Sequence, residues 1–415
     1  MSRPRFITPL KTCDCGGSLS EGRGSVVKAI LYGFNGIQEV DHITKRCCRK
    51  SCQTTYGYNF KWEKGEEKRE KVNTLKVSQA KALFVNDKTA FAMDYLIYHE
   101  DLQFRGYLSA GAIAWAGSES LFDKTMMHHD FHKLYNDARF LRLAMQEMQV
   151  LGEKHLKSIK IGAEVTDKSA TMYGHYLHDF EYLPKDTASI KEIAADGHEK
   201  VLVKLCAGTS PGPRAGRPRK NGRGPIPYTN GWFVVSNPQD GRVLGVSQML
   251  QPENNDVAIK TMARVLDKLP AVDCAIMDRM CKVKPAAEKK KQFRGIKYWT
   301  CDLWHGRKHS KKCQCNPHVH LRLKRRVNKV NTSIAEQVFS WMRGFARTFN
   351  ELRPNRHRFL MHYYCKRHNE LLHSDYRGHL NKFAYKNQKS RCPKPYHCTK
   401  KVVKTAVKTK SKASK

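Results

Sequence analysis

The sequence predicts an α/β protein that begins with a cysteine-rich module. In residues 186–385, short apolar segments with strand character alternate with amphipathic helical patterns, which is typical of a sheet flanked by helices. Acidic residues follow two of these strands, and five cysteines lie within the first 62 residues. With 415 residues, 40% of them hydrophobic, the chain is long enough to bury more than one core. We therefore expect a cysteine module (1–62), a helical region (63–185), an α/β domain (186–385) and a basic tail (386–415).

The composition is strongly basic along the whole chain. It holds 76 lysines and arginines against 38 acidic residues, a formal net charge of +38. Such a charge favours a polyanionic partner, bound largely through its phosphates and therefore weakened by salt. A solvated histone-like or ribosome-like protein is the alternative. The sequence has no run of about 18 apolar residues, and its first residues lack the apolar core of a secretory signal, so we expect neither membrane insertion nor secretion.

The N-terminal cysteines have the spacing of a zinc site. Cys13 and Cys15 precede a hairpin-like interval with several glycines, and Cys47, Cys48 and Cys52 follow it. Four thiolates suit a structural Zn²⁺ ion. The spacing predicts Cys13, Cys15, Cys52 and one of Cys47 or Cys48 as ligands. The alternative is reduced cysteine without metal in a small β-rich module.

Helical spacing dominates the region that follows. Apolar residues from Ala82 to Leu102, and again in residues 131–160, recur at intervals that predict two helical stretches. A histidine cluster at 128–132 precedes the second stretch, and we interpret it as surface histidine.

The α/β domain is predicted to open with a strand, a turn at Asp196-Gly197 and a second strand, because Asp-Gly is a common hairpin turn. A loop rich in Gly, Pro and Arg (208–227) comes next and resembles an AT-hook, a minor-groove DNA-binding motif. A plain basic loop explains it equally well. The residues of this loop predicted to bind DNA are Arg217, Arg219, Lys220 and Arg223.

The remaining elements alternate as the fold class requires. We predict a hairpin over 228–247, a helix over 256–269, a strand ending at Asp278 and a strand ending at Asp302. A last helix begins near Ser333, which with Glu336 fits a capping box, so that Glu336 has a structural explanation as well as a catalytic one.

Several acids on a basic scaffold indicate phosphodiester chemistry. Two Mg²⁺ ions held by carboxylates can activate the attacking oxygen and stabilise the leaving one, and hard cations prefer oxygen ligands. The candidate acids are Asp196, Asp278 and Glu336. Substitutes for the first or second of them are Asp167, Asp240 and Asp273.

These residues resemble a known family. Asp196-Gly, Asp278 after a strand, Asp302-x-x-His305 and the Asn-Thr-Ser-Ile-Ala-Glu336-Gln segment are similar to the DDE transposases of eukaryotic DNA transposons, which have an RNase H-like core. With the N-terminal cysteines included, the chain most resembles the cysteine-cluster KDZ transposases. The resemblance covers residues 190–385 well and 10–60 moderately.

The resemblance implies a role for each matched residue. Asp196, Asp278 and Glu336 would hold catalytic Mg²⁺ or Mn²⁺, and Asp302 with His305 would organise the site. His305 could also form a zinc knot with His309, Cys313 and Cys315. The implied function is DNA cutting and joining in the nucleus, with element ends and target DNA as the substrates. A homo-oligomer is compatible with this function. The alternative is a zinc-containing DNA-binding protein without catalysis. The lysine-rich tail is consistent with nuclear import or DNA tethering.

Overall fold

The computed structural model describes residues 2–63, 71–151, 160–161, 187–202, 230–350, 352 and 354–373. It is a mixed α/β protein whose contacts divide it into two compact units. The first unit comprises Met1–Asp179, Val201–Thr209 and Gly344–Tyr364. The second comprises Phe180–Lys200, Ser210–Arg343 and Cys365–Lys415.

A curled mixed sheet organises the first unit. Its path runs β7-β8-β2-β3-β4-β5-β6-β9, and β1 pairs with β3. The long hairpin of β2 and β3 turns at Gly36, whose φ of +84° is a conformation that favours glycine. The strands are β1 (Arg5–Ile7), β2 (Leu19–Gly33), β3 (Gly36–Cys47), β4 (Thr55–Tyr56), β5 (Phe60–Trp62), β6 (Lys71–Asn73), β7 (Ala82–Asn86), β8 (Thr89–Ala92) and β9 (Lys160–Ile161).

Aromatic packing joins this sheet to its helices. Tyr32 on β2 stacks on Phe91 of β8 with ring centroids 5.2 Å apart, and Phe131 lies 4.9 Å from Tyr32. The helices of the unit are α1 (Met93–Gly106), α2 (Ala110–Ser120), α3 (Phe131–Leu151) and α8 (Ala346–Asn350). The chain then continues into α9 (Pro354–His373), whose residues up to Tyr364 belong to this unit.

The prediction of a helix beginning near Ala82 was wrong for its first part. Residues 82–86 and 89–92 form the antiparallel strands β7 and β8, and the helix begins only at Met93. The side chains of Leu83, Phe84, Ala90 and Phe91 are all buried, so these strands lack the polar alternation that marks a half-exposed strand. A short, continuous apolar segment of this kind cannot be distinguished from a buried helix by periodicity.

A five-stranded sheet organises the second unit, in the order β12-β11-β10-β13-β14. β10 pairs antiparallel with β11 and parallel with β13, so the strand that carries Asp196 lies at the centre. The strands are β10 (Glu192–His198), β11 (Trp232–Ser236), β12 (Val243–Gln248), β13 (Cys274–Ile276) and β14 (Tyr298–Thr300). The helices are α4 (Asn255–Lys268), α5 (Met280–Ala287), α6 (Leu321–Val327) and α7 (Ile334–Arg343).

Several predicted elements are confirmed. β11 and β12 form the hairpin predicted over 228–247, and α4 is the helix predicted over 256–269. β13 and β14 are the strands predicted before Asp278 and Asp302. The predicted turn at Asp196-Gly197 was wrong. β10 continues through both residues, and Asp196 pairs in register with Val234. Among the described residues, no helix is long and apolar enough to cross a membrane.

Candidate active site and metal centres

Three carboxylates converge in the second unit. Asp196 on β10, Glu253 in the β12–α4 loop and Asp278 just after β13 each place a carboxylate oxygen within 4.8 Å of the other two. The parallel pairing of β10 with β13 directs both strands toward the same edge of the sheet, which brings Asp196 and Asp278 together. Asp196 and Asp278 were predicted from the sequence, whereas Glu253 was not.

The end of the loop that carries Glu253 is held by two hydrogen bonds. Arg279 Nη1 donates a hydrogen bond to the Glu253 carbonyl oxygen at 2.9 Å. Asn254, the next residue, caps α4 by accepting a hydrogen bond from Val257 N at 3.0 Å. The Glu253 side chain extends toward Gly197, where an added Cβ would lie 2.6 Å from Glu253 Oε2. Gly197 is thus needed for this close approach rather than for a turn.

Two oxygens of the cluster are buried without a hydrogen-bond partner, Asp278 Oδ1 and Glu253 Oε1. A buried carboxylate oxygen left without a partner is costly. Arg279 Nη1 lies 3.8 Å from Glu253 Oε1, which is beyond hydrogen-bond distance. Hard divalent cations such as Mg²⁺ and Mn²⁺ take carboxylate oxygens as ligands, so the donor set and the two unpartnered oxygens fit such an ion.

Burial and, after it, mutual repulsion raise the pKa of two of these acids, Asp196 and Glu253. Burial, followed by the charges of Glu253 and Asp278, raises the pKa of Asp196 to about 8. Burial, followed by the charge of Asp278, raises the pKa of Glu253 to about 7. Low-dielectric surroundings and like charges both disfavour ionisation, and a bound cation reverses that balance.

A second group of residues borders the cluster. Asp302 Oδ2 accepts a hydrogen bond from His305 Nδ1 at 2.6 Å, while Asp302 Oδ1 accepts the backbone N–H groups of Trp304 and His305 at 2.9 Å. Both oxygens of Asp302 are therefore engaged in orienting His305. His305 Nδ1 also lies 3.9 Å from Glu336 Oε1 in the first turn of α7.

Glu336 stands beside the three-carboxylate cluster rather than inside the 4.8 Å set. Its charge contributes to the raised pKa of Asp196, and burial followed by the charge of Asp302 raises its own pKa. The chain positions of the four acids run from 196 to 336, so the site draws on most of the second unit.

The substitute acids have other partners or lie elsewhere. Asp240 pairs with Arg242 at 2.5 Å in the β11–β12 turn, and Asp273 pairs with Arg326 at 2.7 Å. Asp167 lies outside the described residues, as do the predicted DNA-binding residues Arg217, Arg219, Lys220 and Arg223.

The first unit contains a four-cysteine cluster that could hold a metal such as zinc. The Sγ atoms of Cys13, Cys15, Cys47 and Cys52 lie within 4.8 Å of one another. The Cys13–Cys52 and Cys15–Cys47 pairs are each 3.5 Å apart, far longer than a disulfide bond of about 2.05 Å. Cys48 is outside this set; its thiol is exposed and lies 3.4 Å from Ser20 Oγ.

The thiols of this cluster differ in acidity. Hydrogen bonds from the Thr54 side chain and backbone lower the pKa of Cys52 to about 6, whereas burial raises the pKa of Cys47 to about 12. A cysteine that is already a thiolate at neutral pH is a ready metal ligand.

The structure groups the residues of the predicted zinc knot differently from the sequence prediction. His305 is oriented by Asp302, and no metal-ligand group found among the described residues includes it. His309 and Cys313 group instead with Cys281 of α5, their ligand atoms lying within 4.8 Å of one another. Neither His305 nor Cys315 belongs to that set. Cys281 had not been predicted, because it is a single cysteine in a lysine-containing helix with no motif around it.

His128, His129 and Asp130 also lie within 4.8 Å of one another. His129 is 81% exposed, and a surface group of this kind commonly has no ion, in agreement with the surface-histidine interpretation.

Comparisons with protein-family models, with curated proteins and with solved structures give no match for this chain.

Proposed function

We propose that the protein is a metal-dependent enzyme that cuts and joins DNA, of the DDE transposase type. The observation that carries the proposal is the convergence of Asp196, Glu253 and Asp278, with two buried carboxylate oxygens that accept no hydrogen bond. Carboxylates gathered in this way on a chain of net charge +38 are suited to bringing divalent cations to a phosphodiester.

The roles follow from the positions of the side chains. Asp196 and Asp278 would hold the metal, with Glu253 as an additional ligand and Glu336 as the acid nearest to them on α7. When bound, two Mg²⁺ or Mn²⁺ ions would activate the attacking oxygen and stabilise the leaving oxygen. Asp302 orients His305, whose Nδ1 lies 3.9 Å from Glu336 Oε1.

An RNase H-like core is part of this proposal. Its support is a sheet in which three antiparallel strands continue into two parallel ones, with one acid on the central strand and another after its parallel neighbour. The four-cysteine cluster would hold structural Zn²⁺ and help to bind DNA. A nuclear location and a homo-oligomeric state belong to the same proposal.

Trp304, between Asp302 and His305, is consistent with a nucleic-acid substrate. Its side chain is largely exposed, and Lys308 Nζ lies 4.3 Å from the ring centroid. An exposed aromatic ring beside cations can stack on an unpaired base.

The test combines metal binding, DNA binding and strand cleavage. Full-length protein is incubated with plasmid DNA in Mg²⁺ or Mn²⁺, and Mn²⁺ binding is measured separately by titration calorimetry. We expect Asp278→Asn to abolish cleavage and weaken Mn²⁺ binding while DNA affinity, measured by fluorescence anisotropy, stays unchanged. Asp240→Asn, whose carboxylate pairs with Arg242 in the β11–β12 turn, is the matched control and should cleave normally.

Cleavage that persists in Asp278→Asn, or that needs no divalent ion, would refute the proposal. A wild-type protein that binds DNA but neither cleaves it nor binds Mn²⁺ would be a zinc-containing DNA-binding protein without catalysis.

A further inference from the structure

A second group of soft ligands lies next to the acid cluster. Cys281 follows Asp278 by three residues on α5, and Cys301 directly precedes Asp302 at the end of β14. His309 and Cys313 lie on the segment that follows. The side chains of Cys281 and Cys313 are partly buried, and Cys301 is fully buried.

All three thiols lie close to the ring of His309; Cys281 and Cys313 contact Nδ1, and Cys301 Sγ is also 3.6 Å from Nε2. The distances from His309 Nδ1 are 3.8 Å to Cys281 Sγ, 3.6 Å to Cys301 Sγ and 3.3 Å to Cys313 Sγ. A tetrahedral zinc ion bound to nitrogen at about 2.05 Å and sulfur at about 2.3 Å sets N···S separations of about 3.6 Å. The observed distances bracket this value.

We propose that Cys281, His309 and Cys313, whose ligand atoms lie within 4.8 Å of one another, hold a second zinc ion, and that Cys301, which contacts His309 from outside this set, supplies the fourth ligand. Three thiolates and one imidazole are a common ligand set for structural zinc. All three cysteines are free, so the thiols are not engaged in disulfides.

The backbone around the site is held in place by hydrogen bonds. Asn316 Nδ2 donates to the His309 carbonyl at 3.3 Å, and His320 Nε2 donates to the Cys313 carbonyl at 3.1 Å. These contacts hold the backbone of the segment from His309 to Cys313, and the ligand atoms of both residues lie within 4.8 Å of Cys281 Sγ.

Such a zinc ion would tie together the ends of β13 and β14. Cys281 would anchor the turn that carries Asp278, and Cys301 would anchor Asp302. The four ligands would therefore act as positioning residues for the acid site, with no contact to the substrate. The zinc site itself does not depend on the proposed catalytic function.

The experiment counts zinc in the purified full-length protein and records the spectrum of its Co²⁺-substituted form. We expect Cys281→Ser/Cys313→Ser to lose one zinc per chain relative to the wild type. Cys315→Ser and Cys48→Ser should keep the wild-type count, since Cys315, unlike Cys301, makes no hydrogen-bond contact with His309 in the described part of the chain, and Cys48 is an exposed thiol elsewhere. In a Cys13→Ser/Cys15→Ser background, Co²⁺ should give the visible bands of a tetrahedral site with three sulfurs and one nitrogen.

His309→Cys should retain the metal with a four-sulfur spectrum, whereas His309→Ala should lose it. The proposal is overturned if Cys281→Ser/Cys313→Ser keeps the wild-type zinc count, or if Cys315→Ser loses zinc while Cys301→Ser keeps it. If the double variant does not fold, a Cys13→Ser/Cys15→Ser protein that is folded but contains no zinc overturns it equally. Zinc loss with intact cleavage would contradict only the positioning role.

Discussion

Gly197 leaves the space into which Glu253 extends: a Cβ at position 197 would lie 2.6 Å from Glu253 Oε2 and 3.1 Å from its Cδ and Cγ. Because position 197 on the central strand has no side chain, the carboxylate of Glu253 can occupy this space, although the two residues are more than fifty positions apart in the sequence. This relationship gives a way to move Glu253 without changing any carboxylate.

Gly197→Ala should weaken Mn²⁺ binding by the acid cluster. The added methyl group must displace the Glu253 side chain, and the loss of correct ligand orientation typically costs about 10- to 100-fold in metal affinity. Calorimetric titration with Mn²⁺ provides the measurement. Gly295→Ala is the control, because its nearest neighbours are at ordinary contact distance, 3.6 and 4.0 Å. Equal Mn²⁺ affinity in the two variants would show that Glu253 is not a ligand.

The contribution of Asp196 and Glu253 to the stability of the metal-free protein should fall as the pH rises from about 4 to 8. The pKa of Asp196 is raised to about 8 and that of Glu253 to about 7, well above the values of about 4 expected in the unfolded chain. The protonated acids therefore stabilise the folded state below about pH 4, and this contribution is lost as the pH rises through the raised pKa values.

Thermal unfolding in the presence of a chelator of Mg²⁺ and Mn²⁺, recorded from pH 5 to 8.5, tests this dependence. Asp196→Asn should flatten the decline, and added Mn²⁺ should oppose it most strongly at high pH, where the carboxylates are ionised. A decline that is unchanged in Asp196→Asn would assign the pH dependence to other groups.

The four-cysteine cluster should stabilise the N-terminal hairpin when it holds zinc. Cys13→Ser removes one of the four thiols, and because zinc binding is coupled to folding, the hairpin of β2 and β3 should exchange its amide hydrogens faster. Cys48→Ser is the matched control, since that exposed thiol is outside the cluster. Hydrogen exchange of residues 19–47 is the measurement, and equal protection in both variants would contradict a zinc site here.

Replacing Arg217 and Arg219 by Ala should reduce the salt dependence of DNA binding. If each arginine neutralises one phosphate, the slope of log affinity against log salt falls by about 1.8 units. These arginines lie outside the described residues, so this prediction depends on the sequence alone. A slope equal to that of the wild type would place the loop away from DNA.

The sequence was sufficient to predict the elements with clear patterns. Apolar runs bounded by turn residues mark the hairpin over 228–247, helix α4 and the strands before Asp278 and Asp302. Such runs are the local signal from which secondary structure is predicted. Asp196 was predicted as a candidate acid, but the Asp-Gly pair was also interpreted as a turn, and it in fact lies inside β10.

Glu253 and Cys281 could not be predicted from local pattern. Glu253 belongs to a polar segment, Gln251-Pro252-Glu253-Asn254, that indicates only a loop before a helix. Its relationship to Asp196 depends on the pairing of β10 with β11 and β12, which is a long-range property of the sheet. The one local signal was the glycine after Asp196, whose missing side chain marks a close approach.

The spacing of the acids along the chain has a consequence for synthesis. Glu253, Asp278 and Glu336 are all made after Asp196, and α7 is the last element to contribute an acid. A chain that is still emerging from the ribosome, or one cut short before α7, has no complete set of acids. If the proposed activity is correct, a basic protein with affinity for nucleic acid gains the ability to cut it only when the second unit is nearly finished.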